Sequence, residues 1–156
     1  MDRTLVMLKP DAVSRGLIGR IIDRLEEKGR KIIALKMARI DPALAERHYA
    51  AHKGKPFYEP LIRFVTSGPT VFMVLEGKGA VAVVRKMMGD TSGAAAEPGT
   101  IRGDLGMSNR FNLIHGSDSP EAAAAEIALF FIPDELIDWN PAAWPWTYDF
   151  STGEPV

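Results

Sequence analysis

The sequence predicts an α+β fold in which helices cover an antiparallel sheet of four strands. Apolar runs that indicate strands alternate with segments of helical spacing, and glycine or proline separates them. One helical hairpin interrupts this alternation, and without it the first six regular elements form two strand–helix–strand units joined end to end. Because the chain has 156 residues, 46% of them hydrophobic, we expect a single domain over residues 1–156.

The first strand–helix–strand unit is predicted from hydrophobic spacing. Residues 5–8 are apolar and end at a Lys-Pro-Asp turn, as expected of a buried strand, because proline cannot continue a central ladder. Apolar residues recur at helical spacing over 18–25, and Gly29 stands where a glycine that ends a helix is expected. Residues 31–39 form a plausible second strand.

The helical hairpin and the third strand follow. Asp41 precedes a proline, which is the pattern of a helix N-cap, and the helix is expected to carry Leu44, His48, Tyr49 and His52. A second helical piece covers residues 56–65 and ends at Ser-Gly-Pro. The β-branched and apolar run over 70–75 then predicts the third strand.

The second half of the chain repeats the order of the first. A helix is predicted over 80–88, and residues 90–107 show no period, which indicates a long functional loop. Residues 111–115 form a last short strand, and Ser119 caps a final helix. This order is the split βαβ, or ferredoxin-like, pattern, in which an antiparallel sheet carries helices on one face.

A tail rich in proline and tryptophan runs from about residue 139. It contains Trp139, Trp144 and Trp146, and tryptophans placed so close together rarely stay exposed. We therefore expect all three to pack on the body of the protein or on a neighbouring subunit.

Composition excludes several classes of function. The net charge is −1, without the basic stripe of a nucleic-acid-binding protein. The absence of cysteine excludes disulfides and thiolate metal sites. The longest apolar run, Ile127 to Ile132, is far shorter than the roughly 20 residues of a membrane span. No signal-peptide pattern is seen, so we expect a cytoplasmic protein that binds neither membranes nor specific nucleic acid.

His115 is the strongest candidate for chemistry. It ends a predicted strand, and Gly116 to Asp118 lead into a helix N-terminus, where free N–H groups attract phosphate. A histidine is nucleophilic near neutral pH if one ring nitrogen is free and the other is held protonated. Glu126, two turns into the helix, could reach back to do so. The simpler alternative is a strand-end histidine bonded to the backbone.

Lys9, Arg85, Thr91 and Arg102 are candidates for holding phosphate, because phosphoryl transfer needs positioning and charge neutralisation. Taken singly, each arginine is more simply a solvated surface charge. The glycine-rich cradles of the P-loop and dinucleotide folds are absent.

His48 and His52 have a spacing that can bind zinc, but no third ligand is evident, so surface histidines are favoured. Phe57 and Tyr58 are either an aromatic platform for a base or part of the packing of the hairpin.

Three segments together resemble the nucleoside diphosphate kinase family. Residues 112–119, Asn-Leu-Ile-His-Gly-Ser-Asp-Ser, look like the active-site signature of that family. Residues 98–104 look like its phosphate loop, and Lys-Pro-Asp at 9–11 with Arg-Gly-Leu at 15–17 looks like its first strand and turn. The resemblance runs from about Arg3 to Tyr148, nearly the whole chain.

The resemblance implies a ping-pong transfer of the terminal phosphate from a nucleoside triphosphate, typically ATP, to a nucleoside diphosphate. His115 is then phosphorylated on Nδ1, and Glu126 and Ser117 orient its ring. Lys9 and Tyr49 line the site. Such an enzyme maintains the pools of nucleoside and deoxynucleoside triphosphates.

The resemblance also implies the binding site for the nucleotide. Lys9 and Asn112 touch the ribose hydroxyls and the transferred phosphate. Mg²⁺ is bound mainly by the phosphates of the substrate rather than by the chain. A homo-oligomer is implied, a hexamer in the first place, with tetramers and dimers known among relatives. The remaining implied contacts are Arg85, Thr91 and Arg102 on the distal phosphates, Phe57 stacked on the base, and Leu61 beside it.

Three departures from the family pattern concern the base site and assembly. Asn109 stands where an apolar residue usually clamps the base. Arg110 and Phe111 replace the usual Gly-Arg pair before the signature asparagine. Ser92 and Gly93 follow Thr91 where a proline is common, in a loop that contributes to subunit contacts in the family.

Three rival functions remain open from the residues alone. The first is a regulatory module that binds nucleotide without turnover, which only the departures near Asn109 support. The second is a nucleic-acid-binding protein, which the charge opposes. The third is a hydrolase that passes phosphate from the histidine to water.

Overall fold

A four-stranded antiparallel sheet lies at the centre of the computed structural model, which describes all residues from Met1 to Val156. The strand order is β2-β3-β1-β4, so that β1 is paired on both sides. This order confirms the predicted α+β, ferredoxin-like pattern. The strands are β1 (Asp2–Leu8), β2 (Lys31–Arg39), β3 (Pro69–Gly77) and β4 (Ile114–Gly116).

Eight α-helices and two short 3₁₀ turns connect or flank the strands. No helix is long and apolar enough to cross a membrane. The 3₁₀ turns are Ala50–His52 and Pro133–Glu135. The helices are α1 (Pro10–Ser14), α2 (Ile18–Glu27), α3 (Pro42–His48), α4 (Tyr58–Val65), α5 (Ala80–Met88), α6 (Ile101–Leu105), α7 (Pro120–Phe130) and α8 (Trp144–Thr147).

Helices cover both faces of the sheet, because alternate residues of the buried strand β1 point to opposite sides. Val6 and Leu8 belong to a core shared with α2 and α5, which are the helices that the split βαβ pattern predicts. Leu5 and Met7 belong to a second core shared with α3, α4 and α7. The inserted hairpin, formed by α3 and α4, and the helix α7 therefore cover the face of the sheet that the split βαβ pattern leaves open.

Helix starts follow the predicted capping residues. The Asp41 carboxylate accepts a hydrogen bond from the Leu44 N–H at 2.8 Å, and the Ser119 hydroxyl accepts one from the Ala122 N–H at 3.0 Å. Gly29 follows α2 at a φ of +78°, a left-handed conformation that favours glycine. These local signals gave the bounds of β2 and α5 as well.

Several predicted elements were wrong in extent. Residues 90–107 are not wholly irregular, because α6 forms there with the Thr100 side chain accepting from the Gly103 N–H. The helix α3 ends at His48, so that His52 lies in a 3₁₀ turn rather than on the same helix face. The last strand begins only at Ile114, and the short helix α1 was not predicted at all.

The tail packs on the start of β2 through two of its tryptophans. Trp139 Nε1 donates to the Ile32 carbonyl at 2.9 Å, and the ring of Trp144 lies 4.7 Å from the Lys31 ammonium. Trp146 is 93% exposed, so the expected packing on the body is wrong for this residue. Its contact with a neighbouring subunit stays a prediction.

Candidate active site

A cavity of about 710 Å³ opens beside the strand β4. Three of the predicted site residues, Arg85, Ser117 and Glu126, do not line it and lie behind His115 or beside it. The others line it together: Lys9, Tyr49, Phe57, Leu61, Thr91, Arg102, Asn112 and His115. Sequence reasoning also missed lining residues, since His52 and Ser108 gave no signal of a nucleotide site.

His115 is held by a carboxylate rather than by the backbone. It lies opposite Met7 in the β1–β4 ladder, and its Nε2 is 2.7 Å from Oε2 of Glu126 on α7. The same carboxylate oxygen accepts a hydrogen bond from the Ser117 hydroxyl at 3.0 Å. Nδ1 of His115 has no hydrogen-bond partner within the chain. The alternative of a backbone-bonded histidine is therefore wrong, and one ring nitrogen is free for nucleophilic attack.

Glu126 has the charge that this arrangement requires. Burial alone would raise the pKa of its carboxyl group, but the hydrogen bond from His115 and the nearby imidazoles keep that pKa below the usual value. The ionised carboxylate accepts only, so the Nε2 atom of His115 carries the proton in this contact.

His48 is a neighbour of the reactive ring that sequence reasoning treated as a surface residue. It is partly buried, and its ring lies edge-on to His115 with centroids 4.9 Å apart. Burial, and then the proximity of His115, lowers the pKa of His48 to about 4. It is therefore neutral at pH 7. The favoured interpretation of His48 as a surface histidine is therefore wrong, because it clusters with His115 and Glu126.

Lys9 supplies a buried cation to the cavity. Its side chain is only 8% exposed, and Nζ donates to Oδ1 of Asn112 at 2.8 Å. Burial, and then the charge of Arg102, lowers the pKa of Lys9 to about 8. An ammonium group that has lost much of its hydration is attracted strongly to an arriving phosphate anion.

Arg102 ties the glycine-rich loop to the catalytic strand. Its guanidinium donates to the carbonyls of Asn112 at 3.0 Å, Gly89 at 3.2 Å and Ile114 at 2.7 Å. Burial, followed by the charge of Arg85, lowers the pKa of Arg102 to about 10. The alternative of a solvated surface charge is wrong, because Arg102 is only 6% exposed.

Arg85 lies on α5, behind the catalytic strand. Its Nη1 donates to the carbonyl of Gly116, the residue after His115, at 3.2 Å. Arg85 and Arg102 thus hold backbone carbonyls on both sides of His115. Two positive charges in this position favour a negatively charged ligand at the adjoining cavity.

A strained turn directs the chain from the cavity wall into β4. Leu113 is fully buried and has a φ of 71°, in the left-handed region that side chains rarely adopt. The Ile114 N–H donates to the Asn112 carbonyl at 2.8 Å, which closes a γ-turn around Leu113. The Leu113 N–H donates to Oδ2 of Asp11 at 3.0 Å, so the N-terminal segment holds this turn in place.

The side of the cavity near α4 suits a flat aromatic group. Phe57 is 45% exposed there, and Leu61 lies one turn further along. Phe111 packs its ring edge-on against Phe64, with centroids 5.0 Å apart. An exposed ring at the edge of a cavity is available for stacking on a nucleobase.

A free imidazole nitrogen beside buried cations and a stacking surface defines a phosphoryl-transfer site of a nucleotide-dependent enzyme. Comparison with known proteins gives the same class. The family model described as nucleoside diphosphate kinase matches residues 2–136. The chain belongs to the nucleoside diphosphate kinase family, and it is a phosphotransferase.

Relatives of this family match over nearly the full chain. The nucleoside diphosphate kinase of Thermomicrobium roseum is 55% identical over 146 residues, which are 94% of this chain and 98% of that protein. That of Synechococcus elongatus is 53% identical over 149 residues, 96% of this chain and all of the relative.

Solved structures of the family share the fold. A halophilic nucleoside diphosphate kinase from Halobacterium salinarum, solved in complex with CDP, has a TM-score of 0.93 at 53% identity, covering 95% of this chain and 99% of that one. A family protein from Babesia bovis has a TM-score of 0.91 at 44% identity, covering 95% and 100%.

Proposed function

We propose that His115 carries the phosphate in a two-step exchange between nucleotides, the ping-pong reaction of nucleoside diphosphate kinases. The observation that supports this proposal is the free Nδ1 of a ring whose Nε2 is bonded to Glu126. The Nδ1 lone pair attacks the terminal phosphorus of a nucleoside triphosphate, and a bond forms between nitrogen and phosphorus. The bond from that phosphorus to the bridging oxygen breaks, and the diphosphate leaves with the electron pair.

The second step reverses the first with a new acceptor. A terminal phosphate oxygen of another nucleoside diphosphate attacks the phosphohistidine, and the nitrogen–phosphorus bond returns its electrons to Nδ1. Throughout both steps Nε2 keeps its proton, because the Glu126 carboxylate stabilises the charge that the ring gains. The exchange maintains the cellular pools of nucleoside and deoxynucleoside triphosphates.

Cations and hydroxyl groups of the site are proposed to hold the phosphates. Lys9 contacts the transferred phosphate, and Asn112, its hydrogen-bond partner, reaches the ribose hydroxyls. Thr91 and Arg102 line the cavity and hold the distal phosphates, and Arg85 adds its positive charge from beside the cavity. Tyr49 lines the cavity and has a buried hydroxyl without a partner, which can donate to a phosphate oxygen.

We propose Mg²⁺ as the cofactor, bound mainly through the phosphates of the substrate. Mg²⁺ prefers oxygen ligands, whereas the metal-competent cluster of the chain, His48, His115 and Glu126, is mostly nitrogen. The residues beside the phosphates are basic or carry hydroxyl groups, so they suit a nucleotide that binds as its Mg²⁺ complex. The bound metal would neutralise charge on the phosphate oxygens.

The nucleotide base is proposed to stack on Phe57 and to contact Leu61. Stacking tolerates every base, since each has a π face. Ser117 supports the carboxylate of Glu126 rather than the substrate, because its hydroxyl donates to that group at 3.0 Å.

The protein is proposed to be a single-domain, cytoplasmic homo-oligomer, a hexamer by analogy with the family. The edge strand β2 supports self-association, because Leu35 is 53% exposed and Met37 is 55% exposed on it. Exposed apolar side chains on an edge strand, which has no neighbour on one side, usually meet a partner. Light scattering coupled to size-exclusion chromatography measures the molar mass in solution, and the mass of a monomer would contradict the proposed homo-oligomer.

The catalytic proposal is tested by labelling the protein with γ-labelled ATP and Mg²⁺ and removing the free nucleotide. Wild type is expected to carry acid-labile, base-stable phosphate that GDP removes. His115→Ala is expected to carry none, whereas Arg47→Ala, which changes an exposed residue of α3 outside the cavity, keeps the label. Label that passes only to water would indicate a hydrolase. Bound ATP without any label would indicate a regulatory binding module.

A further inference from the structure

We propose that Arg110 reads the hydrogen-bonding edge of the base, so that keto bases are preferred to amino bases. Guanine is then a better acceptor base than adenine, and uracil a better one than cytosine. This inference rests on the proposed function, because it requires a nucleotide whose base lies beside Phe57. Asn109 is a second polar residue that lines the same part of the cavity.

The polar residues stand on the same side of the cavity as the stacking surface. Phe57 precedes α4, and Leu61 lies within it. Arg110 and Phe111 line the cavity and also border an adjoining groove with Phe64 of α4. A base that stacks on Phe57 therefore lies in the same cavity as the segment of residues 108–111.

Hydrogen bonds hold this segment in one conformation. The Ser108 hydroxyl accepts from the backbone N–H groups of Arg110 at 3.1 Å and of Phe111 at 3.0 Å. The Asn109 carbonyl accepts from Nδ2 of Asn112 at 2.9 Å. The segment is thus fixed to the residue that also contacts the Lys9 ammonium, and its side chains have a defined place at the cavity.

The side chains of Asn109 and Arg110 are free to bind a ligand. Both residues are exposed and line the cavity, and neither side chain makes a hydrogen bond or an ion pair within the chain. Phe111 differs, because its ring is engaged with Phe64. The hydrogen-bonding groups at this edge are therefore a guanidinium and an amide.

The chemistry of the guanidinium gives the direction of selection. Arginine has five N–H donors and no acceptor, so it pairs with O6 and N7 of guanine. Adenine places an amino group, itself a donor, where guanine has O6. Uracil and cytosine differ in the same way at position 4. The Asn109 amide both donates and accepts, so it strengthens the contact without choosing between keto and amino bases.

The second half-reaction tests this inference with the donor held constant. The protein is phosphorylated with γ-labelled ATP and freed of nucleotide, and the rate constant for label removal is measured with GDP, ADP, UDP and CDP. Comparing GDP with ADP and UDP with CDP keeps the stacking area similar within each pair. Each ratio is expected to favour the keto base by about fivefold.

Three variants assign the effect to one side chain. Arg110→Met keeps much of the length without the charge, and both ratios are expected to approach unity. Arg47→Met, which removes an exposed arginine of α3 outside the cavity, is expected to keep the wild-type ratios. Asn109→Val is expected to leave both ratios unchanged, because the Asn109 amide does not choose between keto and amino bases.

Four results would separate the possible failures. Equal rates for keto and amino bases in wild type, or wild-type ratios in Arg110→Met, would overturn the inference. Ratios that change in Asn109→Val alone would also overturn it, because the selection would then belong to the amide. Failure of wild type to take up label would instead overturn the proposed function.

Discussion

The carboxylate of Glu126 and the imidazole of His115 meet at 2.7 Å between Oε2 and Nε2. The contact joins α7 to β4, and it leaves Nδ1 as the ring nitrogen without a partner. Because the carboxylate only accepts, it selects the tautomer in which Nδ1 carries the lone pair. We therefore expect the reactivity of His115 to depend on Glu126, a residue that does not line the cavity.

Glu126→Gln is expected to slow phosphorylation of His115 by about 10- to 100-fold, because a neutral amide stabilises the charged ring less well. Stopped-flow measurement of the first half-reaction gives the rate, and the KM for ATP is expected to change little. Glu121→Gln alters an exposed glutamate of the same helix and serves as the control. Equal rates for Glu126→Gln and wild type would contradict the role of this carboxylate.

Lys9 makes activity sensitive to alkaline pH. Its pKa is lowered to about 8 by burial and by Arg102, so the ammonium loses its proton above this pH in the free enzyme. A neutral amine binds phosphate less well, and kcat/KM is expected to fall as pH rises through about 8. Lys9→Gln is expected to be less active and to lose this alkaline limb. Retention of the same limb in Lys9→Gln would assign it to another group.

His48 contributes stability that is lost in acid. Unfolded His48 binds a proton near its usual pKa of 6.5, whereas burial and His115 hold the folded pKa at about 4. Between these values the unfolded chain binds more protons, so the free energy of unfolding falls as pH is lowered. Wild type is expected to lose on the order of 2 kcal/mol more than His48→Phe between pH 7 and about pH 4.5.

Urea unfolding at one protein concentration measures this difference in the free energy of unfolding. Phenylalanine is chosen for the variant because its ring can pack against Phe130 as the ring of His48 does. His52→Phe, at a half-buried position in the 3₁₀ turn after α3, is the control and is expected to follow wild type. Equal acid sensitivity of His48→Phe and wild type would show that His48 does not cause the loss.

The C-terminal tail is expected to stabilise the protein through Tyr148. Its hydroxyl accepts a hydrogen bond from Nη2 of the buried Arg30, and Arg30 also donates to the Lys78 carbonyl at 2.9 Å. Tyr148→Phe leaves a buried guanidinium donor unpaired and should cost about 1 to 3 kcal/mol in the free energy of unfolding.

Trp146→Ala is the matched comparison for the tail, since Trp146 is 93% exposed. In the isolated chain its removal is expected to change stability by less than about 0.5 kcal/mol. A larger loss in the assembled protein would place Trp146 in a subunit contact. A Tyr148→Phe variant as stable as wild type would contradict the importance of the Arg30 contact.

The sequence predicted those helices and strands that are determined by residues close together along the chain. The bounds of β2 and α5 follow from hydrophobic spacing, and the starts of α3 and α7 follow from Asp41 and Ser119. The helix α6 was missed because its five residues include a glycine and are too few to show a period.

The roles of buried polar residues were the hardest to predict. The three carbonyls that Arg102 holds come from Gly89, Asn112 and Ile114, so only the folded chain reveals that this arginine is buried. The burial of His48 beside His115 gave no signal either, because the two residues are 67 positions apart in the sequence and meet only in the folded chain. Spacing along a chain cannot identify such long-range partners.

The pairing of β1 with β4 has a consequence for the order of folding. Val6 lies opposite Gly116 and Met7 opposite His115, so more than two thirds of the chain must be gathered before the nucleophile is in place. Closing so long a loop is slow relative to forming helices. Recovery of phosphotransfer after dilution from denaturant is therefore expected to lag behind recovery of helical circular dichroism. A chain emerging from the ribosome would likewise acquire its secondary structure well before it acquires its chemistry.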